Sequence, residues 1–137
     1  KKTKKKIVLC HGVFDLVHIG HVKHFTVAKS LGDVLIVSIT KDEFINKGPG
    51  RPVFNHNIRA EYLSGLSIID YIIINDSPTS VSLIKQVKPN IYCKGIDYKD
   101  EKQDITKEII NEKNAVKLIG GSMHFTNEIT NSSSSLE

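Results

Sequence analysis

Apolar positions along this chain come in short, near-continuous blocks separated by longer stretches with helical periodicity. The blocks are Ile7-Val8-Leu9-Cys10, Val34 to Ile39, Tyr71 to Ile74, Ile91-Tyr92-Cys93 and Val116-Lys117-Leu118-Ile119. All but the last are near-continuous, the pattern of strands buried on both faces of a parallel sheet. Between them, a first helix is predicted from about Gly20 to Leu31, with Val22, Phe25, Ala28 and Leu31 on one face and Gly32 as its stop. A second starts near Asn55 and carries Ile58, Tyr62 and Leu66. A third follows Ser77-Pro78, read as an N-cap with proline at the first helical position, and ends before Pro89. A fourth, Asp104 to Glu112, has Asp104 as its cap and Ile105, Ile109 and Ile110 as its apolar positions. Strands alternating with helices predict an α/β fold, a doubly wound parallel five-stranded sheet flanked by helices.

In such sheets ligands bind beyond the carboxyl ends of the strands. The stretch after the first strand, Gly12-Val13-Phe14-Asp15-Leu16-Val17-His18-Ile19-Gly20-His21, carries the most chemistry. A strand that breaks at glycine and re-enters a helix offers unpaired backbone N–H groups to an anion. His18 and His21 add donors for phosphate oxygens, and Gly20 removes a β-carbon where a phosphate must approach the backbone. Two histidines three apart also suit a metal, but zinc takes a third and a fourth ligand, and the nearest thiol, Cys10, precedes the motif in a buried strand. An ordinary helix start is the other competing reading, and the length of the pattern after an apolar strand weighs against it.

Two further segments fall at predicted strand ends. Lys47-Gly48-Pro49-Gly50-Arg51-Pro52-Val53 has the composition of a flexible lid that lays two cations on a triphosphate, or of a plain solvated turn. In Lys94-Gly95-Ile96-Asp97-Tyr98, glycine permits close approach of a base or ribose and the Asp97 carboxylate accepts from hydroxyl or amino groups; an Asx-type turn is the bland alternative. His11 reads as a strand-end residue just before the motif. Ser132 to Ser135 is either a low-complexity linker or the first turn of a final helix whose serines meet phosphate.

Composition narrows the field. A chain of 137 residues suits one domain, here 7–137 after a basic, mobile segment 1–6. Five of the 19 basic residues lie in those first six positions, so the formal charge of +4 argues for no nucleic-acid partner. Cys10 and Cys93 sit in strand-like runs as small hydrophobes, without a disulfide, and no run approaches the roughly 20 apolar residues of a membrane span. A cytoplasmic protein with no membrane partner is expected. Leu136-Glu137 falls where a final helix would begin, so the domain reads as cut short there and excised from a larger chain.

Gly12-x-Phe14-Asp15-x-x-His18-x-Gly20-His21 resembles the signature of the HxGH nucleotidyltransferases, the cytidylyltransferase-like superfamily, and the resemblance extends from about Lys6 to Ser135. It is closest to the nucleotidyltransferase domains fused to, or partnered with, a PfkB-type sugar kinase, including the adenylyltransferase half of the bifunctional heptose enzyme. The residues that carry it are Lys47 to Phe54, Lys94 to Tyr98, Asp104-Ile105-Thr106, Gly120-Gly121 and the serine cluster.

The resemblance implies a Rossmann-like fold and an enzyme that moves a nucleoside monophosphate from ATP or CTP to a phosphorylated sugar, releasing pyrophosphate, for a nucleotide-activated glycan precursor. It implies His18, His21 and Lys47 as catalytic residues. Gly12, Val13, Phe14, Asp15, Gly20, Arg59, Gly95, Asp97, Ser132, Ser133 and Ser134 bind nucleotide or phosphate, with Arg59 in a supporting phosphate or scaffold role. Mg²⁺ is the cofactor, held mainly by the triphosphate, with Asp15 orienting the turn or helping to hold the ion. A nucleoside triphosphate, a phosphorylated acceptor, a homodimer mate and a fused or partner PfkB-type kinase are the implied partners. Rival readings are a cytidylyltransferase acting on a polyol phosphate such as glycerol 3-phosphate, an FMN adenylyltransferase, or a nucleotide-binding regulatory domain. One departure stands out: the arginine that related cytidylyltransferases carry before the C-terminal Ser/Thr motif is missing, and His124 is the only candidate cation between Gly120 and Asn131.

Overall fold

Val8, Leu9 and Cys10 are completely shielded from solvent, as consecutive positions of a strand are only when both faces of the sheet are covered. They lie in β1 (Ile7–Gly12), the centre of an all-parallel sheet in a computed structural model that describes residues 5–14, 17, 19–45, 54–95 and 105–126. The other strands are β2 (Val34–Thr40), β3 (Tyr71–Asn75), β4 (Ile91–Gly95) and β5 (Ser122–Thr126), and the order across the sheet is β3-β2-β1-β4-β5. The described helices are α1 (Ile19–Ser30), α2 (His56–Leu63), α3 (Val81–Val87) and α4 (Ile105–Leu118).

Strand alternation divides the core in two. Val8 and Cys10 pack with Leu35, Val37, Ile39 and Cys93 beneath Phe25 and Ala28 of α1 and Leu63 of α2. Leu9 and Tyr92 point the other way, into Leu83 and Ile84 of α3 and Ala115 and Val116 of α4. This is the doubly wound α/β arrangement the sequence predicts, Rossmann-like in its layers. From β1 the chain builds outward to β2 and β3, then returns to β4 and β5 on the other side. The topological switch point therefore lies between the carboxyl ends of β1 and β4, where such folds bind ligands.

Several element boundaries differ from expectation, each for a local reason. Val116 to Ile119 is no strand: it is the end of α4 and the turn that stops it. Gly120 takes a φ of 79°, its N–H bonds to the Lys117 carbonyl, and the Gly121 N–H bonds to the Val116 carbonyl, the pairing of a Schellman stop. The fifth strand follows, at Ser122–Thr126. α3 begins at Val81, after Ser80, so Ser77-Pro78 precedes the helix instead of capping it. It ends at Lys88, which takes the left-handed conformation (φ 53°) before Pro89.

Buried helix faces are also rotated from the apolar reading. α1 buries Gly20, His24, Phe25 and Ala28, and Val22 is only half-buried. α2 buries Arg59 and Leu63 and leaves Ile58 exposed, while α4 buries Glu112, Ala115 and Val116 and leaves Ile110 exposed. In each helix a polar residue takes a core position because the fold gives its polar atoms partners. Among the described residues no helix is long and apolar enough to cross a membrane.

Candidate active site

The turn after β1 is shaped by one aromatic ring. Phe14 is buried and packs edge-on against His21 and Phe25, with ring centroids 5.6 and 5.1 Å away. Its ring lies so close over Gly12 that a β-carbon there would come within 2.9 Å of Cζ. Gly12 is thus required by the packing of the motif's own phenylalanine. Phe14 itself takes a φ of 50°, a left-handed conformation that costs a non-glycine residue about 1–2 kcal/mol. The motif's backbone path is held there by contacts from outside it.

Those contacts come from α2. Asn55 caps the helix, its side chain accepting the Ile58 N–H at 2.9 Å. Arg59, fully buried, donates from Nη1 to the Val13 carbonyl (2.8 Å), from Nε to the Phe54 carbonyl (2.9 Å) and from Nη2 to Asp42 Oδ1 (2.7 Å). Tyr62 donates its hydroxyl to the Phe14 carbonyl. Asp42 opens a short 3-10 turn after β2, and its N–H donates to His56 Nδ1 at 3.1 Å. One guanidinium thereby ties α2 to the turn after β1 and the turn after β2. All three of its nitrogens are engaged by the protein, which makes Arg59 a positioning residue here. In the sequence Asp42 is unmarked and Tyr62 is only an apolar position of the second helix; their roles rest on tertiary contacts that no local pattern announces.

Across the switch point, Gly95 ends β4 beside the end of β1. On the α3/α4 side of the sheet a polar layer lines the strand ends. His11 Nδ1 meets Ser38 Oγ, and Thr40 Oγ1 lies 3.5 Å from His11 Nε2. Burial, and secondarily the charge of Lys94, push the His11 imidazole down to about 4, so it is neutral at physiological pH. Lys94 Nζ sits 3.2 Å from Oε1 of Glu112, a carboxylate only 2 % exposed. The other oxygen, Oε2, accepts from Ser80 Oγ and from the Tyr92 hydroxyl, both at 2.9 Å. Burial first, and then Glu112, raise the Tyr92 phenol well above its ordinary value. A cation next to Gly95 is thus held in place by a carboxylate on α4, a partnership between positions 18 residues apart that periodicity cannot reveal.

Of the residues expected to act, Gly12, Val13, Phe14, Gly20, His21, Arg59 and Gly95 are gathered around the carboxyl ends of β1 and β4 and the start of α1. Asp15, His18, Lys47, Asp97, Ser132, Ser133 and Ser134 lie outside the described residues, as do Arg51 and the Asp104 cap. Mg²⁺ demands oxygen ligands. Asp42 is already paired with Arg59, and the group of three candidate ligands found among the described residues, Cys10, His24 and Cys93, offers sulfur and nitrogen. The described residues therefore form no cage that suits Mg²⁺. His124 is exposed on β5. Cys10 and Cys93 are buried free thiols, and burial, then the contact with Cys93, raise the Cys10 thiol well above its usual range.

Known proteins resemble this chain over most of its length. The bifunctional protein HldE of Campylobacter concisus is 39 % identical over 123 residues, covering 88 % of this chain and 26 % of the relative. HldE of Campylobacter jejuni serotype O:2 is 45 % identical over 103 residues, covering 74 % and 22 %. The chain thus spans about a quarter of the length of the curated relatives it matches. Among solved structures, the lipopolysaccharide core biosynthesis protein from Thermoplasma volcanium superposes with a TM-score of 0.70 at 24 % identity, covering 90 % of this chain and 95 % of that one. Pantoate-beta-alanine ligase from Francisella tularensis superposes with a TM-score of 0.61 at 18 % identity, covering 90 % and 59 %. Both share the fold. The family model for cytidylyltransferase-like domains matches residues 9–137, from β1 through the serine cluster, and this chain belongs to that family.

Proposed function

We propose that this chain is a nucleotidyltransferase domain that moves a nucleoside monophosphate from ATP or CTP to a phosphorylated sugar, releasing pyrophosphate. The observation that carries the reading is the crevice between β1 and β4. Glycines end both strands, α1 begins at its rim, and the motif turn is clamped by Arg59 and Tyr62. Gly95 would let a nucleotide come close to the backbone at the end of β4, Gly12 makes room for the Phe14 ring that shapes the turn, and the start of α1 favours negative charge.

In the proposed reaction an acceptor phosphate oxygen attacks the α-phosphorus in line. The bond to the bridging oxygen of the β-phosphate breaks, and pyrophosphate leaves with the bonding electrons. An acceptor phosphate is already ionised, so no base is needed, which suits a neutral His11 at the strand end. His18, His21 and Lys47 are the donors proposed to meet charge on the transferring and leaving oxygens, each worth about 10²–10³ in rate. Mg²⁺, brought by the triphosphate, would neutralise charge on the leaving pyrophosphate. The relatives' description as bifunctional supports a second activity on the same or a partner chain, for which we propose the PfkB-type kinase that makes the sugar phosphate.

Thermal unfolding with Mg²⁺ and each of ATP, CTP, GTP and UTP tests the binding half of this reading. Ligand at 100 times its Kd raises the midpoint by roughly 5 °C or more in a domain of this size. The expected result is such a shift with ATP or CTP that shrinks in His18→Ala. No shift with any nucleotide would contradict it.

A further inference from the structure

Cys10 and Cys93 stand opposite each other in the register of β1 and β4, and both are completely buried. Their side chains share the sheet face covered by α1, where His24, 2 % exposed, packs beside Phe25 at 5.5 Å between ring centroids. One ligand atom from each, the two Sγ atoms and a ring nitrogen, lie within 4.8 Å of one another. Thr126 of β5 holds His24 Nδ1 at 2.7 Å from its hydroxyl. The group lies two residues short of the glycines that end β1 and β4, and the proposed transfer chemistry makes no use of it.

We propose that Cys10, Cys93 and His24 form a binding site for a thiophilic d10 cation, zinc(II) or copper(I), ligated by two thiolates and the imidazole Nε2. Thiolate and imidazole are the ligands these ions select over magnesium or calcium. Metal bonds of about 2.3 Å to sulfur and about 2.0 Å to nitrogen place ligand atoms about 3.5–4 Å apart. A set already within 4.8 Å closes around an ion with small side-chain movements. The Thr126 contact supplies the outer support that metal-bound histidines need: with Nε2 on the metal, Nδ1–H donates to the hydroxyl, which fixes tautomer and ring orientation.

Binding forms two metal–sulfur bonds and one metal–nitrogen bond and releases the two thiol protons to solvent, with no change of oxidation state. Two thiolates neutralise a divalent ion, which favours zinc in the surrounding apolar cluster of Val8, Phe25 and Val37, whereas a group of three ligands among the described residues suits copper(I). Bound there, the ion ties β1, β4 and α1 together directly below the switch point. No spacing motif announces the site; the adjacency of β1 and β4 and the crossing of α1 create it.

An enclosed site takes its ion as the chain folds. The test is anaerobic refolding of the reduced chain with zinc(II) in one arm and copper(I) in the other. Passage over a chelating resin and elemental analysis follow, with cobalt(II) as a spectroscopic probe of thiolate ligation. The proposal expects about one ion per chain from one arm, a thiolate-to-cobalt absorption band, and a midpoint raised by roughly 5 °C or more. Cys93→Val, an apolar β-branched replacement suited to a strand, should fold and lose all three. Thr126→Val should keep the ion with about 10–100-fold weaker affinity. Less than about a tenth of an ion per chain in both arms overturns the proposal whatever the variants do. So does an ion retained equally by folded Cys93→Val, which would place it on surface histidines.

Discussion

Replacing Arg59 by methionine removes a side chain that by itself joins α2 to both the turn after β1 and the turn after β2, and its cost can be worked from the contacts. The Val13 and Phe54 carbonyls lose donors at 2.8 and 2.9 Å, and Asp42 loses its partner at 2.7 Å. A buried acceptor left without a donor costs about 1–3 kcal/mol. Breaking a buried ion pair costs about 3–5 kcal/mol, less here because the Asp42 side chain is 33 % exposed and regains water. These contributions overlap, and roughly 3–4 kcal/mol is expected, a fall of roughly 10–15 °C in Tm. Arg59→Lys, whose single ammonium cannot reach all three acceptors, should lose about half as much. Circular dichroism melts and urea midpoints measure both, with nucleotide Kd titrated on each variant. A guanidinium that contacted phosphate directly would give the opposite pattern. A Tm within about 2 °C of the parent, together with a nucleotide Kd raised about tenfold or more, would refute the positioning role.

Gly12→Ala places a β-carbon 2.9 Å from the Phe14 ring, so the ring or the turn must shift. A loss of about 1–3 kcal/mol in urea unfolding is expected, with weaker nucleotide binding, and an unchanged midpoint would contradict the packing argument. Glu112→Leu leaves Ser80, Tyr92 and Lys94 without their shared acceptor and should cost about 2–4 kcal/mol, while Tyr92→Phe, which removes one donor, should cost about 1 kcal/mol. Equal effects from the two would argue against a carboxylate-centred network. Asp70 is held below its ordinary value of 3.8, first by the hydrogen bond from Lys29 and then by the Leu35 N–H. Its contribution is therefore complete above the unfolded value and is lost as pH falls through the lower folded value. Asp70→Asn should flatten the acid limb of a stability–pH curve below about pH 4 and leave its shape near pH 7 unchanged.

The layers of this fold can be read from strands that are near-continuously apolar, because burial on both faces leaves no room for alternation at Val8, Leu9 and Cys10 of β1. Val116 to Ile119 misleads because a short apolar run carries no period of its own. What settles it is Gly120, whose positive φ ends a helix and lets a strand begin after it. Apolar faces misplace α1, α2 and α4 for a common reason: His24, Arg59 and Glu112 each occupy a core position with partners supplied from elsewhere in the chain. Such pairings are tertiary and leave no trace in periodicity. At the site, the motif glycines and His21 are legible because they fall in one continuous run directly after an apolar strand. Asp42 and Tyr62 are not, since any fold offers many aspartates and tyrosines and only contact distinguishes these.

The most direct measurement is pyrophosphate release, followed with ATP and CTP in turn against a panel of sugar 1-phosphates, for the parent chain and for His18→Ala and His21→Ala. The account predicts pyrophosphate and a matching nucleotide sugar from at least one pair, with the rate falling about 10²–10³-fold in each variant. Release that continues within about twofold in both variants, or none from any pair although the nucleotide binds, would contradict it.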